Sequence, residues 1–490
     1  MSRTLEFAGP PHDVVIIGAG AAGLAAGIFA ARLAPHLRIL VVDGARKIGA
    51  KILVSGGSRC NVTNRVVRES DFWGGPSRVV KRVLRAFPAD RAAAFFHELG
   101  VALHEEEGGK LFPASQRSRT VLAALLEELR RRGVPLDVGV RVSDVRPLTG
   151  GFVIATASGT DLVARRVVLA TGGLSLPKTG SDGHGYVIAQ RLGHGRVPTT
   201  PALAPLLLGL EPRRREATKE EPRRREDRKE EPRRREDTTE TSGKLASSEP
   251  QPEAGHDDAR DPERCWHRAL TGVAHPAALT LHAAGLDRPL TLTGPILWTH
   301  FGASGPVALN MSRHWHRAEI EGRSPRLSIA LCPEESFASL DAWLLDRATA
   351  RPRAAVHTVL AERVPGAVAD VWASLCGIER DTTMAHMERE ARRRLVHALL
   401  AAPLKVAGSR GYGYAEVTAG GVPLDEIDPA TMESRLCPGL HFAGEILDVD
   451  GRLGGFNFQW AWSSAFVAAQ GVVRGLARGQ ALGAGSDGDD

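Results

Sequence analysis

The chain of 490 residues is long enough for two or three domains, and its 43% of hydrophobic residues can fill real cores without covalent staples. A formal charge of +6 and a pI near 9.2 raise nucleic acid as a partner. Yet the most basic-looking stretch, where EPRRRE recurs three times at a spacing of ten, holds twelve Lys and Arg against eleven Asp and Glu over residues 211 to 240, so nucleic acid is not expected as a partner.

Five scattered cysteines with no C-x-x-C pair give no sign of zinc or a redox dithiol, so no metal site is expected and a reducing cytoplasm fits best. The apolar run from Val14 to Ala31 is broken by Gly18, Gly20, Gly23 and Gly27, and no basic segment precedes it. Neither a signal peptide nor a membrane span is expected.

In chain order, DVVII (Asp13 to Ile17) has the length and apolarity of a strand buried on both faces of a parallel sheet. GAGAAG follows at once, small and apolar residues continue at helical spacing from Leu24 to Leu33, and RILVVD (Arg38 to Asp43) is the next strand. This is a βαβ unit closed by an acid. A Gly-rich loop is expected at residues 49 to 64, then helices over RVVKRVLRAF, ADRAAAFFHELGV and SRTVLAALLEELRRRGV, the last with Ser118 as N-cap and Gly133 as stop. VGVRVSDVRPL, GGFVIATAS and LVARRVVLATGG alternate as a small β-meander that returns to the main sheet.

A Pro-rich, β-like region begins at residue 193, and the charged repeat interrupts it. Pro212, Pro222 and Pro232 each stop a helix, and almost nothing apolar lies between Glu211 and Glu263, so disorder is expected there. Beyond it come a hairpin (ALTLHAAGLDRPLTLTG), a helix (GPVALNMSRHW), a strand (RLSIALCP) and a mostly helical stretch at 334 to 402. The last segment has the pattern of a strand at YAEVTAGGV, a loop, a helix and a Gly/Asp tail.

The chemistry concentrates in a few blocks. In Gly18-Ala19-Gly20-Ala21-Ala22-Gly23, Gly20 lets backbone N–H groups approach a pyrophosphate at the positive end of the helix, and Gly23 lets helix and strand pack closely. Asp43 is placed to accept hydrogen bonds from a ribose. A Gly-rich turn serving only the packing of an α/β core is the plainer alternative, and the fingerprint alone does not separate FAD from NAD. The stretch from Lys51 to Asn64 (KILVSGGSRCNVTN) gathers small residues, hydroxyls, amides and a cation on one loop. Ala170-Thr171-Gly172-Gly173 and Phe442-Ala443-Gly444-Glu445 each end an apolar strand, where ligands bind in open α/β sheets.

His300, in WTHFGASGP with Ser304 as a helix cap, is the candidate for proton chemistry, with a histidine bonding its own loop as the alternative. Cys60 beside Arg59 is either a reactive thiolate or a small loop filler. Trp460 and Trp462 are expected in the core. No second strand-GxGxxG-helix unit is present, so a nicotinamide cofactor would visit a bound flavin rather than hold its own domain.

Taken together, GAGAAG, KILVSGGSRCNVTN, ATGGLSLPKTGSDGHGY, GPILWTHFGASGP and the long block from AEVTAGGV to FNFQWAWSS resemble the bacterial flavoproteins called BaiN-like or YhiN-like, also labelled aminoacetone-oxidase-like. The resemblance covers nearly the whole chain except residues 211 to 263. It implies an α/β fold in which residues 1–192 and 405–490 form a Rossmann-like domain holding noncovalent FAD. Residues 193–404 would be an inserted β-rich and helical domain carrying the charged repeat.

It further implies that Gly18, Gly20, Ala22 and Gly23 face the pyrophosphate and Asp43 the adenosine ribose. Lys51, Ser55, Gly56, Arg59, Asn61 and Thr63 would line the flavin side, with Thr171 and Gly172 in a second contacting turn. Gly444 and Glu445 would meet the ribityl hydroxyls, and Gly455, Phe456 and Asn457 would open a helix aimed at the flavin ring. One residue departs from the family pattern S-G-G-G-R-C-N: Ser58 stands at the third glycine, and a positive φ there would strain the loop by roughly 1–2 kcal/mol.

The function expected is hydride transfer between FAD and a small or medium organic substrate, with NAD(P)H as transient donor and a reductase favoured over an amine oxidase. The alternatives are an RNA-modifying flavoprotein and a flavin-bound scaffold whose charged repeat recruits a protein partner.

Overall fold

The computed structural model describes residues 12–209 and 265–484, so the expected disorder of the charged repeat and the Gly/Asp tail lie outside the described residues. The β-branched strand His12–Ile17 lies inside a nine-stranded sheet, paired in parallel with Ile39–Asp43 on one side and Leu162–Leu169 on the other. Val14, Val15 and Ile16 are fully buried, as an unbroken apolar strand requires. Leu136–Val138 extends the parallel array beyond Ile39–Asp43, and the C-terminal segment returns as Leu440–Phe442 beside Leu162–Leu169. The expected meander is present: Val142–Leu148 and Gly151–Thr156 pair antiparallel and join Leu162–Leu169.

The helix Ala21–Leu33 packs on this sheet and against the long helix Phe456–Ala484. Its small residues allow the close approach, since a Cβ on Gly27 would meet Leu129 at 3.0 Å and Val41 at 3.1 Å. Five parallel strands therefore end on one edge, and the turns that follow four of them carry Gly18, Gly44, Ala170 and Ala443. That edge holds the site.

A second, seven-stranded antiparallel sheet is built from Leu206–Leu208, Ala274–His282, Leu290–Thr299, Gly302–Ser304, Arg326–Ala330, Ala402–Leu404 and Val406–Ser409. With the helices Gly305–Ile320, Phe337–Ala350, Gly366–Leu375 and Arg389–Ala401 it encloses its own apolar core around Trp298, Trp372, Met311 and Leu395. Val197–Ala202 and Val417–Gly421 pair antiparallel and bring the two regions together. Across that junction Arg313 donates to both Asp450 carboxylate oxygens, at 2.6 and 2.9 Å, with both side chains buried.

Two local expectations change. The stretch read as a loop from residue 49 begins as a helix, Ala50–Ser58, whose backbone leaves helical geometry at Ser55, Gly56 and Gly57. Ser118 is the first residue of its helix rather than the cap, and its hydroxyl donates to the Leu53 carbonyl at 2.9 Å. Among the described residues no helix is long and apolar enough to cross a membrane.

Candidate active site

A cavity of about 410 Å³ opens at the carboxyl edge of the parallel strands and runs from the Gly18 turn to a wall formed by Leu203, Glu416 and Leu453. At its first end backbone packing dictates the sequence. Gly18 has φ +105°, and a Cβ there would sit 2.5 Å from the Ala170 carbonyl oxygen. A Cβ on Gly23 would lie 1.7 Å from the Gly18 oxygen, whereas one on Gly20 would meet nothing within 4 Å and would point into free space at the start of the helix. Gly23 is thus a packing residue and does not line the cavity; Gly18, Gly20 and Ala22 do. The Asp43 carboxylate accepts from the Ala19 and Ala45 amides, each at 2.7 Å, so it fixes the Gly turn while lining the same end.

The middle of the cavity is polar. Lys51 pairs with Glu445 and with the Ser175 hydroxyl, while the other Glu445 oxygen accepts from Ser175 Oγ at 2.7 Å and from the Thr418 amide at 3.0 Å. Glu445 is thereby held by residues from three distant segments. Thr171, Gly172 and Gly444 line this part too, and the buried Thr171 hydroxyl has no partner.

At the far end Ser55, Gly56, Arg59 and Asn61 line the cavity. Gly56, Gly57, Ser58 and Cys60 all take positive φ, at 55°, 67°, 67° and 63°, so the strain foreseen at Ser58 is present. Arg59 stacks over Phe112 and is drawn to Glu106 at 2.7 Å. The buried Asn61 Oδ1 has no partner. Opposite it the helix Phe456–Ala484 begins after Gly455, bringing its unpaired first amides and positive end to the cavity. Asn457 lines the wall but bonds the Gly451 backbone through both its amide oxygen and its amide nitrogen.

Three other expected site residues lie elsewhere. Thr63 is fully buried and donates to Gln459 Oε1 at 2.6 Å, and Phe456 is fully buried with its ring edge-on to Phe72. Both serve the seam between the loop and the long helix. His300 is exposed on the turn between Leu290–Thr299 and Gly302–Ser304, with its ring against Phe301, and does not line the cavity; the short connection between two paired strands turns it outward. Cys60 is fully buried, and burial pushes its thiol up to about 12, with Ser55 pulling the other way, so it is a filler and not a thiolate. Trp460 and Trp462 belong to the core as expected.

Sequence reasoning missed the wall facing the Gly turn. Leu203, Glu416 and Leu453 come from segments more than thirty residues apart, and only Glu416, a lone acid in a run of small and apolar residues, carries a local sign. It lines the cavity with an accessible side chain that has no hydrogen-bond partner among the described residues. Desolvation by the surrounding protein raises its pKa, and Lys51 opposes the rise.

These features fit FAD on three counts. The Gly20 cradle is open where a pyrophosphate would meet a helix N-terminus. Two cavity-lining residues, Thr171 and Asn61, each carry a buried polar atom, Oγ1 and Oδ1, that lacks a partner. The positive end of a second helix faces the far end, where a reduced ring would carry negative charge.

A family model described as the HI0933-like protein Rossmann domain matches residues 12–471. The ribosomal RNA dihydrouridine synthase of Escherichia coli is 30% identical over 463 residues, covering 94% of this chain and 98% of that protein. The 3-dehydro-bile acid delta(4,6)-reductase of Clostridium scindens is 29% identical over 459 residues, with 94% and 98% covered. Among solved structures, a quinol fumarate reductase subunit FrdA of E. coli aligns with a TM-score of 0.45 and 17% identity, covering 98% of this chain and 74% of that one.

Proposed function

The chain belongs to the HI0933-like family of Rossmann-fold FAD-binding proteins and is an FAD-dependent oxidoreductase, and from that premise we propose that it reduces a carbon–carbon double bond conjugated to a carbonyl group. The single observation that carries this reading is the cavity itself, in which the FAD-fitting features and an accessible acid share one space. Dihydrouridine is uridine with its ring double bond saturated, and the bile-acid reductase is named for ring double bonds, so the names of both full-length relatives describe the same two-electron change. FAD, when bound, supplies hydride transfer between NAD(P)H and carbon. The chain's own residues would bind and orient: Gly18 and Gly20 at the pyrophosphate, Asp43 at the adenosine ribose, Asn61 and Thr171 through their free polar atoms, and Lys51 with Glu445 at the midpoint.

For the substrate, the favoured reading is a small or medium conjugated carbonyl compound in the space bounded by Leu203, Glu416 and Leu453. A second reading, a uracil ring within RNA, is supported by one surface feature beside the relatives' names. Arg410 lies over the Tyr414 ring at 3.4 Å and over Phe301 at 4.6 Å, and Tyr414 is 53% exposed two residues before Glu416. Such an exposed aromatic and cationic stack suits a nucleobase.

Anaerobic titration of the yellow holoprotein with NADH and with NADPH tests the donor: bleaching of the flavin band by either is expected. Adding cyclohexenone or uridine-containing RNA to the bleached protein then tests the acceptor. Flavin that amines or alcohols reduce, and neither nicotinamide does, would overturn the reductase reading in favour of an oxidase.

A further inference from the structure

Saturating a conjugated double bond takes a hydride at the β-carbon and a proton at the α-carbon, and the cavity must supply both. Among the described residues that line it there is no histidine, cysteine or tyrosine, and the acids are Asp43, Glu416 and Glu445. Asp43 already accepts two backbone amides through its two oxygens. Glu445 is bound by Lys51, by Ser175 and by the Thr418 amide. A carboxylate in such a network is held in place with its oxygens already engaged, so neither is free to turn toward a substrate. Glu416 differs in every respect: its side chain is accessible, it has no hydrogen-bond partner among the described residues, and it stands on the wall with Leu203 and Leu453.

We propose that Glu416 is the proton donor of the reaction, protonating the α-carbon of the substrate held between it and the flavin. This deepens the reductase reading and rests on it. In the step, the β-carbon receives hydride and the π bond breaks. Its electron pair takes the Glu416 proton to form the new C–H bond at the α-carbon, and water reprotonates the carboxylate that is left. NAD(P)H is the reductant and leaves as NAD(P)⁺. Three features of the surroundings suit this role. The backbone of Glu416 is fixed, its amide donating to the Leu203 carbonyl and the next residue, Val417, pairing with Ala202 in the two-stranded sheet. The surrounding protein keeps more of the acid protonated near neutral pH than an ordinary glutamate would be. The charged group acting on it is Lys51, which favours the carboxylate and is itself paired with Glu445.

The test uses FAD-loaded wild type, Glu416→Gln and Glu416→Asp, with NADPH or NADH as donor and cyclohexenone and uridine-containing RNA as acceptors. General acid catalysis contributes at least about 100-fold, so Glu416→Gln should slow flavin reoxidation by about that factor relative to its own bleaching rate, with partial rescue in Glu416→Asp. Wild-type reoxidation should slow as pH rises through the Glu416 titration, and that limb should vanish in the Gln variant. A reading independent of turnover is the absorbance of oxidised flavin against pH without substrate, which should show a transition in wild type that Glu416→Gln lacks. Equal reoxidation rates in wild type and Gln variant, or identical flavin titrations, would overturn the inference alone. If neither acceptor reoxidises wild-type flavin, the reductase reading falls and the inference with it.

Discussion

The two ends of the cavity are built by opposite strategies. The end at Gly18, Gly20 and Asp43 comes from one contiguous βαβ segment, residues 12 to 43, and consists largely of backbone, with glycine demanded at Gly18 by a positive φ and at Gly23 by close packing. The wall of Leu203, Glu416 and Leu453 is assembled from three distant segments and depends on how the second sheet docks. Leu203 packs with Val417, Ala419, Leu309 and Leu453, the Leu453 amide donates to Asn310 Oδ1 at 2.8 Å, and Arg313 bonds Asp450 nearby. The Gly-turn end is therefore a local construction, whereas the wall opposite it exists only through tertiary packing.

The strongest way to break the assembled wall is Arg313→Ala. It leaves Asp450 buried without its partner, a loss of about 3–5 kcal/mol. Thermal unfolding should move down by several degrees while the folded protein still carries FAD; a shift of under a degree would mean the wall does not depend on this pair.

The local end is broken more selectively by Gly20→Val. Its side chain enters open space, so the apoprotein should melt as wild type does, yet the pyrophosphate place is filled and FAD affinity should fall about 100-fold, or roughly 2.7 kcal/mol. Gly18→Ala should instead lose both stability and flavin, because φ is +105° and the Ala170 oxygen lies 2.5 Å away. Equal melting losses in the two variants, measured on apoprotein, would contradict this division.

A pH effect should belong to the junction. Buried Asp448 is raised to about 6, first by desolvation and then by Asp450, with Arg317 and Arg313 opposing. The folded pKa lies above the unfolded value of about 4, so this group's contribution is fully present below pH of about 4 and is lost as pH rises through about 6. Asp448→Asn should therefore gain stability over wild type above neutrality, on the order of 2 kcal/mol, and gain little in acid. A difference independent of pH, followed by denaturant unfolding, would rule out the titration of Asp448 as its source.

The smallest change is Ser58→Gly, which relieves a left-handed serine with φ 67° and should add about 1 kcal/mol of stability. FAD should bind slightly tighter, read by flavin retention on dilution; weaker retention would show that the serine hydroxyl has a use.

What could be read from the chain follows the same division. The strand, Gly turn, helix and acid of residues 12 to 43 announce themselves because each is dictated by neighbours in sequence, and the β-meander and the C-terminal helix do so through their periodicity. The inward turn of Thr63 and Phe456 was hidden, since a hydroxyl or a ring beside a cofactor loop has the same local pattern whichever way it faces. His300 seemed suited to chemistry by residue type, yet a tight connection between paired strands carries it to the surface. Glu416 was passed over inside a strand-like run. Its significance arises only when Ser175, Lys51 and Glu445, from elsewhere in the chain, occupy each other and leave it free.

The most direct measurement is a single anaerobic turnover: holoprotein reduced by one equivalent of NADPH, mixed with excess cyclohexenone or uridine-containing RNA in deuterated water, followed by flavin absorbance and product mass. A conjugated-bond reductase predicts flavin reoxidation matched by an organic product that has gained two hydrogens across the double bond, with solvent deuterium at the α-carbon. Flavin that stays bleached with both acceptors and recovers only when oxygen is admitted would contradict the account.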